Sequence, residues 1–228
     1  MGRFFLLGAF LLTVVFLSRG NKGVWELLQP MLVWRISLVW FLFAAVWAVV
    51  ICVAVLVGKG ILTGAGLSTL QVNFDLVSRP SVIKTILISS LIGEIVWIGY
   101  SLNRLSSYFT PFISALVVGA FWTAWWMPMV FFRVGVIPDL PLIGLLFNQT
   151  GVAVMCAFFY SRTRSGLVVL VMQIAFNSAI LMFPVAPSSG GVSTYWVFAI
   201  AYFLAAFSVF AIFGPKPILY KRLEYSGF

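Results

Sequence analysis

The chain has 228 residues, of which 63% are hydrophobic and 8% charged, and its mean hydropathy is +1.13. A soluble domain carries about 25% charged residues, so this composition excludes an ordinary soluble protein and predicts an integral membrane protein. The net charge of +9 comes from basic residues that stand in ones to threes between apolar runs. This pattern favours lipid headgroups as the charged partner and argues against nucleic acid.

Apolar runs close to the roughly 20 residues that cross a bilayer recur along the chain. They predict an all-α, polytopic transmembrane bundle with about seven spans in a single domain over residues 1–228. The expected spans are 4–18, 37–58, 82–102, 111–134, 140–160, 166–184 and 194–213. The first run is short and could be part of a signal peptide, but no small-x-small cleavage pattern follows it, so we expect an uncleaved helix. Segment 21–36 has apolar residues at helical spacing among polar ones and is expected to lie at the membrane interface.

The distribution of Lys and Arg between the two ends of the spans predicts the orientation in the membrane. One side holds Arg19, Lys22, Arg35, Arg104, Arg162, Arg164, Lys216, Lys221 and Arg222, and the other holds Arg3, Lys59, Arg79, Lys84 and Arg133. The richer side is expected to be cytoplasmic. We therefore expect an extracytoplasmic N-terminus and a cytoplasmic C-terminus, in a prokaryotic plasma membrane.

Glu94 is a carboxylic acid inside the third apolar run, with no basic residue between Lys84 and Arg104. An ionisable group within a span indicates a functional site by default, because its insertion costs several kcal/mol. Helical spacing places Trp97, Ile98 and Ser101 on its face. The simplest alternative to a functional role is a structural one, in which Glu94 bonds to Asn177, Gln173 or a backbone carbonyl and joins the third and sixth helices.

Two further spans carry polar or bulky side chains that can meet Glu94. Trp122, Trp125 and Trp126 share a face of the fourth span, just before Pro128, and Gln173 and Asn177 are four residues apart in the sixth span. These groups are able to line one cavity. The alternatives are packing or interfacial anchoring for the tryptophans and interhelical hydrogen bonds for the amides.

The order and spacing of three segments give the chain a family resemblance. They are Gly93–Tyr100, Phe121–Pro128, and Phe159–Ser165 followed by Gln173–Asn177. In these segments the chain resembles the CAAX prenyl protease and bacteriocin-processing (CPBP, or Abi) family of intramembrane glutamic endopeptidases. The likeness extends over about residues 7–210 and implies a CPBP-protease-like helical core. One N-terminal helix of the family has no counterpart here.

The resemblance also implies a degenerate catalytic site. In that family a glutamate and a histidine are thought to activate water, while a second histidine and an asparagine hold the oxyanion; the matching positions here are Gly93, Trp126, Gln173 and Asn177. The family's arginine position is Ile98. Glu94 and Asn177 are therefore the vestigial catalytic candidates. The predicted cavity or ligand residues are Gly93, Trp97, Ile98, Trp122, Trp126 and Gln173.

No metal or other cofactor is predicted. The chain has no histidine, its two cysteines lie in apolar runs far from Glu94 in sequence, and a metal site needs several converging ligands. No glycine-rich phosphate loop on a soluble domain is present, which argues against a nucleotide enzyme.

These observations favour a CAAX-protease-like pseudoenzyme that acts as a binding or scaffolding subunit of a membrane complex. Its expected partners are the lipid bilayer, other membrane proteins and a lipid, pigment or prenyl-like ligand in the former substrate cavity. Two alternatives remain open. One is a residual intramembrane glutamic endopeptidase using Glu94 and Asn177, and the other is a pathway for protons or small solutes.

Overall fold

The apolar runs fold as helices because a membrane offers the backbone no water, so each span must satisfy its own N–H and C=O groups. A computed structural model describes residues 2–219, and these contain seven helices long and apolar enough to cross a membrane. The seven spans are Gly2–Leu32, Leu38–Thr63, Pro80–Leu105, Pro111–Phe132, Leu142–Thr163, Gly166–Gly190 and Val192–Phe213. Their main α-helices are α1 (Gly2–Leu28), α2 (Leu38–Thr63), α3 (Pro80–Gly93), α4 (Pro111–Phe132), α5 (Leu142–Thr163), α6 (Gly166–Met182) and α7 (Val192–Phe213). The prediction of an all-α membrane bundle is confirmed. Lys221 and Arg222, which entered the orientation argument, lie outside the described residues.

Helix α5 occupies the centre of the bundle. Every residue from Asn148 to Tyr160 is buried, although the helix is no more apolar than its neighbours. Two glycine contacts bring other helices close to it. A Cβ atom built on Gly119 of α4 would lie 2.5 Å from the Cα atom of Thr150, and one built on Gly151 would lie 3.0 Å from the Cα atom of Phe203 in α7. Small residues at such contacts let helix backbones approach closely in a membrane.

The third span changes its helical geometry part of the way through. After Gly93, α3 continues as a π-helix over Glu94–Leu102, followed by a single α-turn at Asn103–Leu105. Within this stretch the Ser101 hydroxyl donates to the carbonyl oxygen of Val96, five residues back, at 2.7 Å. Since π-helical segments often occur at functional sites, this is the first structural sign of a site in α3.

Helix α1 is divided at Gly20, whose φ of 61° and ψ of −159° interrupt the helical backbone. The chain after Gly20 runs to Leu28 and then through a 3₁₀ turn at Gln29–Leu32; we call residues 21–33 the N-terminal arm. Leu27 of this arm is buried in a small apolar cluster that includes Val96 of the π-helix. The arm lies within the segment that was expected at the interface, and it packs on the third span.

The contact between α4 and α5 predicts that Gly119→Ala is destabilising. The added methyl group would meet the backbone of Thr150, and overpacking of this kind costs about 1–3 kcal/mol. Gly58→Ala is the matched control, because a Cβ atom on Gly58 has no neighbour within 4 Å and alanine favours a helix over glycine. Thermal unfolding in mild detergent should show a lower Tm for Gly119→Ala and an unchanged or higher Tm for Gly58→Ala. Equal Tm values would contradict the close contact.

Candidate functional site

A cavity of about 50 Å³ lies where α1, α3, α4, α5 and α6 meet. It is larger than the roughly 10–15 Å³ that one water molecule needs. Its walls are formed by four aromatic side chains, four polar side chains and one valine: Phe4, Ser89, Trp122, Trp126, Gln149, Val152, Gln173, Phe176 and Asn177. We call this space the polar cavity.

Four of the side chains expected at one site line the polar cavity. Trp122 and Trp126 reach it from α4, and Gln173 and Asn177 reach it from adjacent turns of α6. Trp125, which was expected on the same face of α4, is not among the lining residues; it packs against the hydrophobic core instead. Trp122 and Trp126 are four residues apart, and so are Gln173 and Asn177, so helical geometry directs both members of each pair to the polar cavity.

Gly93 lies directly beside these residues. A Cβ atom built on it would lie 3.0 Å from Oε1 of Gln173 and 3.7 Å from Cζ2 of Trp122. Trp97, one turn further along, stacks on Trp122 with their ring centroids 5.9 Å apart and an angle of 20° between the planes. Any side chain at position 93 would therefore point at Gln173 and the tryptophan pair.

Glu94 lies in a different environment from its neighbour Gly93. Its side chain is 1% exposed, and its carboxyl group packs against Gly166, the first residue of α6. A Cβ atom built on Gly166 would lie 2.9 Å from Oε1 of Glu94 and 2.7 Å from the sulfur of Met31 in the N-terminal arm. The first turn of a helix favours a carboxylate, because its backbone N–H groups carry partial positive charge. Ile98, one turn after Glu94, is fully buried in the core and does not line the polar cavity.

The N-terminal arm is held over Glu94 by a hydrogen bond. The Ser165 hydroxyl donates to the carbonyl oxygen of Val33 at 2.5 Å and also accepts from the N–H of Val168 at 3.3 Å, which caps α6. One side chain thus fixes both the start of α6 and the end of the arm. As a consequence, the carboxyl group of Glu94 is enclosed by Met31, Gly166 and its own helix.

The structural alternative for Glu94 named Asn177, Gln173 or a backbone carbonyl as its hydrogen-bond partner, and the two side-chain options are wrong. The side-chain amide of Asn177 donates instead to the hydroxyl of Ser90, at 3.0 Å, and Oε1 of Glu94 has no hydrogen-bond partner in the described part of the chain. Helices α3 and α6 are still joined by a polar contact, but through Ser90, one turn before Glu94. The reason is local, since the carboxyl group points toward the start of α6 and not toward its middle.

The polar cavity presents hydrogen-bond donors but no group that exchanges protons. Nε1 of Trp126 and Nε2 of Gln173 are buried and have no hydrogen-bond partner among residues 2–219. Indole and amide N–H groups donate to an acceptor oxygen, and none of the nine lining side chains titrates near neutral pH. The arrangement can therefore hold a carbonyl, hydroxyl or water oxygen, but it supplies no general acid or base.

Sequence reasoning missed several contributors to this region. Gln149 lines the polar cavity from α5, Ser90 holds Asn177, and the guanidinium of Arg3 lies 4.1 Å from the ring centroid of Trp126. The run of three polar residues Asn148, Gln149 and Thr150 inside an apolar span was a usable signal for the first. No local pattern links Arg3 to Trp126, because their contact depends on how α1 packs against α4.

Metal binding finds no support in the described part of the chain. Residues 2–219 contain no group of three or more Cys, Asp or Glu side chains that converge on one point. The one ion pair in this range joins Arg19 to Glu26 at 2.8 Å. It lies on the surface, and both residues are distant from Trp126 in the sequence. The expectation that no metal or cofactor is bound stays a prediction.

Comparison with known proteins identifies the central part of the chain. Residues 76–179 match the family model described as Type II CAAX prenyl endopeptidase Rce1-like. The match includes Gly93, Glu94, Trp126, Gln173 and Asn177. No curated protein matches the sequence.

The hydrogen bond between Ser90 and Asn177 predicts energetic coupling between the two side chains. In a double-mutant cycle of Ser90→Ala and Asn177→Ala, we expect a coupling free energy of about 0.6 kcal/mol, the mean for polar contacts between membrane helices. Ser89→Ala is the control, because the Ser89 hydroxyl bonds to its own helix at the carbonyl oxygen of Ile86. Unfolding in detergent should give additive effects for Ser89 with Asn177. Additivity for Ser90 with Asn177 as well would disprove the contact.

Proposed function

We propose that this integral membrane protein, whose residues 76–179 match the Type II CAAX prenyl endopeptidase Rce1-like family model, has lost peptide hydrolysis and serves as a binding or scaffolding subunit of a membrane complex. One observation carries this proposal. The polar cavity is lined by aromatic, amide, hydroxyl and valine side chains, while the carboxyl group of Glu94 packs elsewhere, against Gly166.

Peptide hydrolysis needs a group that removes a proton from water within hydrogen-bond reach, and such a base contributes roughly 10²–10⁴-fold to the rate. The family resemblance assigns this work to positions 93 and 126, which hold glycine and tryptophan here. Gln173 occupies the place of a histidine and keeps the ability to donate a hydrogen bond. Trp126 and Gln173 line the polar cavity and Gly93 lies beside Gln173, so the three changes remove the proton-transfer groups from one site together.

The remaining chemistry of the polar cavity suits recognition. The N–H groups of Trp126 and Gln173 are available to an acceptor oxygen, and the rings of Phe4, Trp122 and Trp126 provide apolar walls. A lipid, pigment or prenyl-like ligand combines an apolar body with such an oxygen. The volume of about 50 Å³ admits the polar end of this ligand only, so its body would extend along the helix surface.

Partner membrane proteins are proposed from the outer faces of the bundle. Large aromatic side chains project from α1 and α4: Phe5, Phe10, Phe16, Phe121, Phe131 and Phe132. We place the protein in a prokaryotic plasma membrane with the N-terminus outside and the C-terminus in the cytoplasm. The bias of Lys and Arg toward one end of the helices supports this orientation.

A residual endopeptidase that uses Glu94 and Asn177 is the second candidate. It is favoured by one observation, the buried Oε1 of Glu94, which has no hydrogen-bond partner within residues 2–219. Such an oxygen is a candidate base. For hydrolysis, however, Met31 and the N-terminal arm would have to move away from the carboxyl group.

A cleavage assay distinguishes the two candidates. The purified protein in liposomes should not cleave a farnesylated CAAX-type peptide above the background given by Glu94→Gln, because no base lines the polar cavity. An active family member serves as the positive control, and Glu26→Gln serves as the matched carboxyl control, since Glu26 pairs with Arg19 away from the cavity. Turnover that Glu94→Gln abolishes and Glu26→Gln leaves intact would overturn the proposal.

A further inference from the structure

A groove of about 570 Å³ runs along the outer surface of the bundle between α2 and α7. Its walls are aliphatic except near the end where α2 finishes and α7 begins: Ile51, Ala54, Val55, Gly58, Lys59, Leu62, Thr63, Ser193, Thr194, Val197, Ala201 and Ala205. Leu62 is 89% exposed and Val197 57% exposed, so the groove opens to the surroundings of the bundle. We call it the α2–α7 groove; it is separate from the polar cavity.

The polarity of the α2–α7 groove changes along its length. The two helices run in opposite directions, so the lining position 63 lies at the same end as 193, and 51 at the same end as 205. Lys59, Thr63, Ser193 and Thr194 lie at the end where α2 finishes and α7 begins, which corresponds to a membrane surface. The opposite end is lined only by aliphatic residues. The twelve residue steps from Ile51 to Thr63 extend over roughly 18 Å of helix. A molecule that matches this surface has a charged head and an apolar chain.

The ammonium group of Lys59 is positioned to bind an anionic group. Its ammonium group donates to the carbonyl oxygen of Gly190 at 3.1 Å and to the hydroxyl of Thr194 at 2.8 Å. An ammonium group has three donors, so these two bonds fix its place and leave one donor for a further acceptor. Both acceptors are uncharged. Within residues 2–219 the one ion pair joins Arg19 to Glu26, so no carboxylate neutralises Lys59 in this part of the protein.

From this charge and shape we propose that the α2–α7 groove binds an anionic phospholipid. The phosphate group accepts the free donor of Lys59, and one acyl chain lies along the aliphatic wall toward Ile51 and Ala205. Gly58 leaves room for the chain, because a Cβ atom built on it has no neighbour within 4 Å. The recognition combines charge complementarity at one end with burial of apolar surface along the rest.

The contribution of the Lys59 charge to lipid binding is tested by native mass spectrometry, which measures the lipid retained by the intact protein in mild detergent. The wild type should retain phosphatidylglycerol in preference to phosphatidylcholine, and Lys59→Gln should lower this preference about fivefold, the factor for roughly 1 kcal/mol per basic side chain. Glutamine keeps a donor for Gly190 and Thr194. Lys59→Arg should retain the preference. The matched control is Lys84→Gln, since Lys84 is an exposed lysine of α3 outside the groove, and it should behave as the wild type.

The apolar part is tested with Lys59 left intact. Gly58→Leu fills the wall of the groove and should reduce retention of both lipids, whereas Ala120→Leu, on the exposed face of α4, should not. The proposal is overturned if the wild type retains both lipids equally, or if Lys84→Gln acts as strongly as Lys59→Gln. It is also overturned if a protein subunit and no lipid is lost on Gly58→Leu, because the groove would then be a protein interface.

Discussion

The close packing of α5 against α4 and α7 is the constraint on which the remaining structure depends. Gly119 and Gly151 let the three backbones approach until no space for a side chain remains between them. Helix α5 is therefore buried along thirteen consecutive positions, from Asn148 to Tyr160. Its polar residue Gln149 consequently faces other helices, where it forms one wall of the polar cavity. In a membrane, where apolar side chains gain little by leaving lipid, such close contacts provide much of the stability.

In the third span, the neighbouring residues Gly93 and Glu94 lie in different environments. Gly93 ends the regular helix and faces Gln173 and Trp122, while Glu94 begins the π-helix and packs against the start of α6. Helix α1 closes both places. Its first turn brings Phe4 to the polar cavity, and its arm after Gly20 brings Met31 to Glu94. Because Glu94 lies away from the polar cavity, the chain keeps a carboxyl group at position 94 while the cavity itself has no acid or base.

The fold was predictable from the sequence because long apolar runs have one solution in a membrane. The pair Gln173 and Asn177 was also predictable, since four-residue spacing fixes a shared direction on any regular helix. The hydrogen-bond partner of Asn177 was not. An expectation based on α-helical spacing ignored the π-helix at Glu94 and the turn of its carboxyl group toward Gly166. Arg3 reaches Trp126 through a contact between distant segments, which no local pattern encodes.

The measurement that tests the central claim most directly is purification of the tagged protein from its native membrane in mild detergent, with mass spectrometry of everything that accompanies it in stoichiometric amount. A binding or scaffolding subunit should bring a constant set of membrane proteins, and Glu94→Gln should leave this set unchanged because the carboxyl group is enclosed within the chain. Recovery of the chain alone, or a set that disappears with Glu94→Gln, would contradict the account.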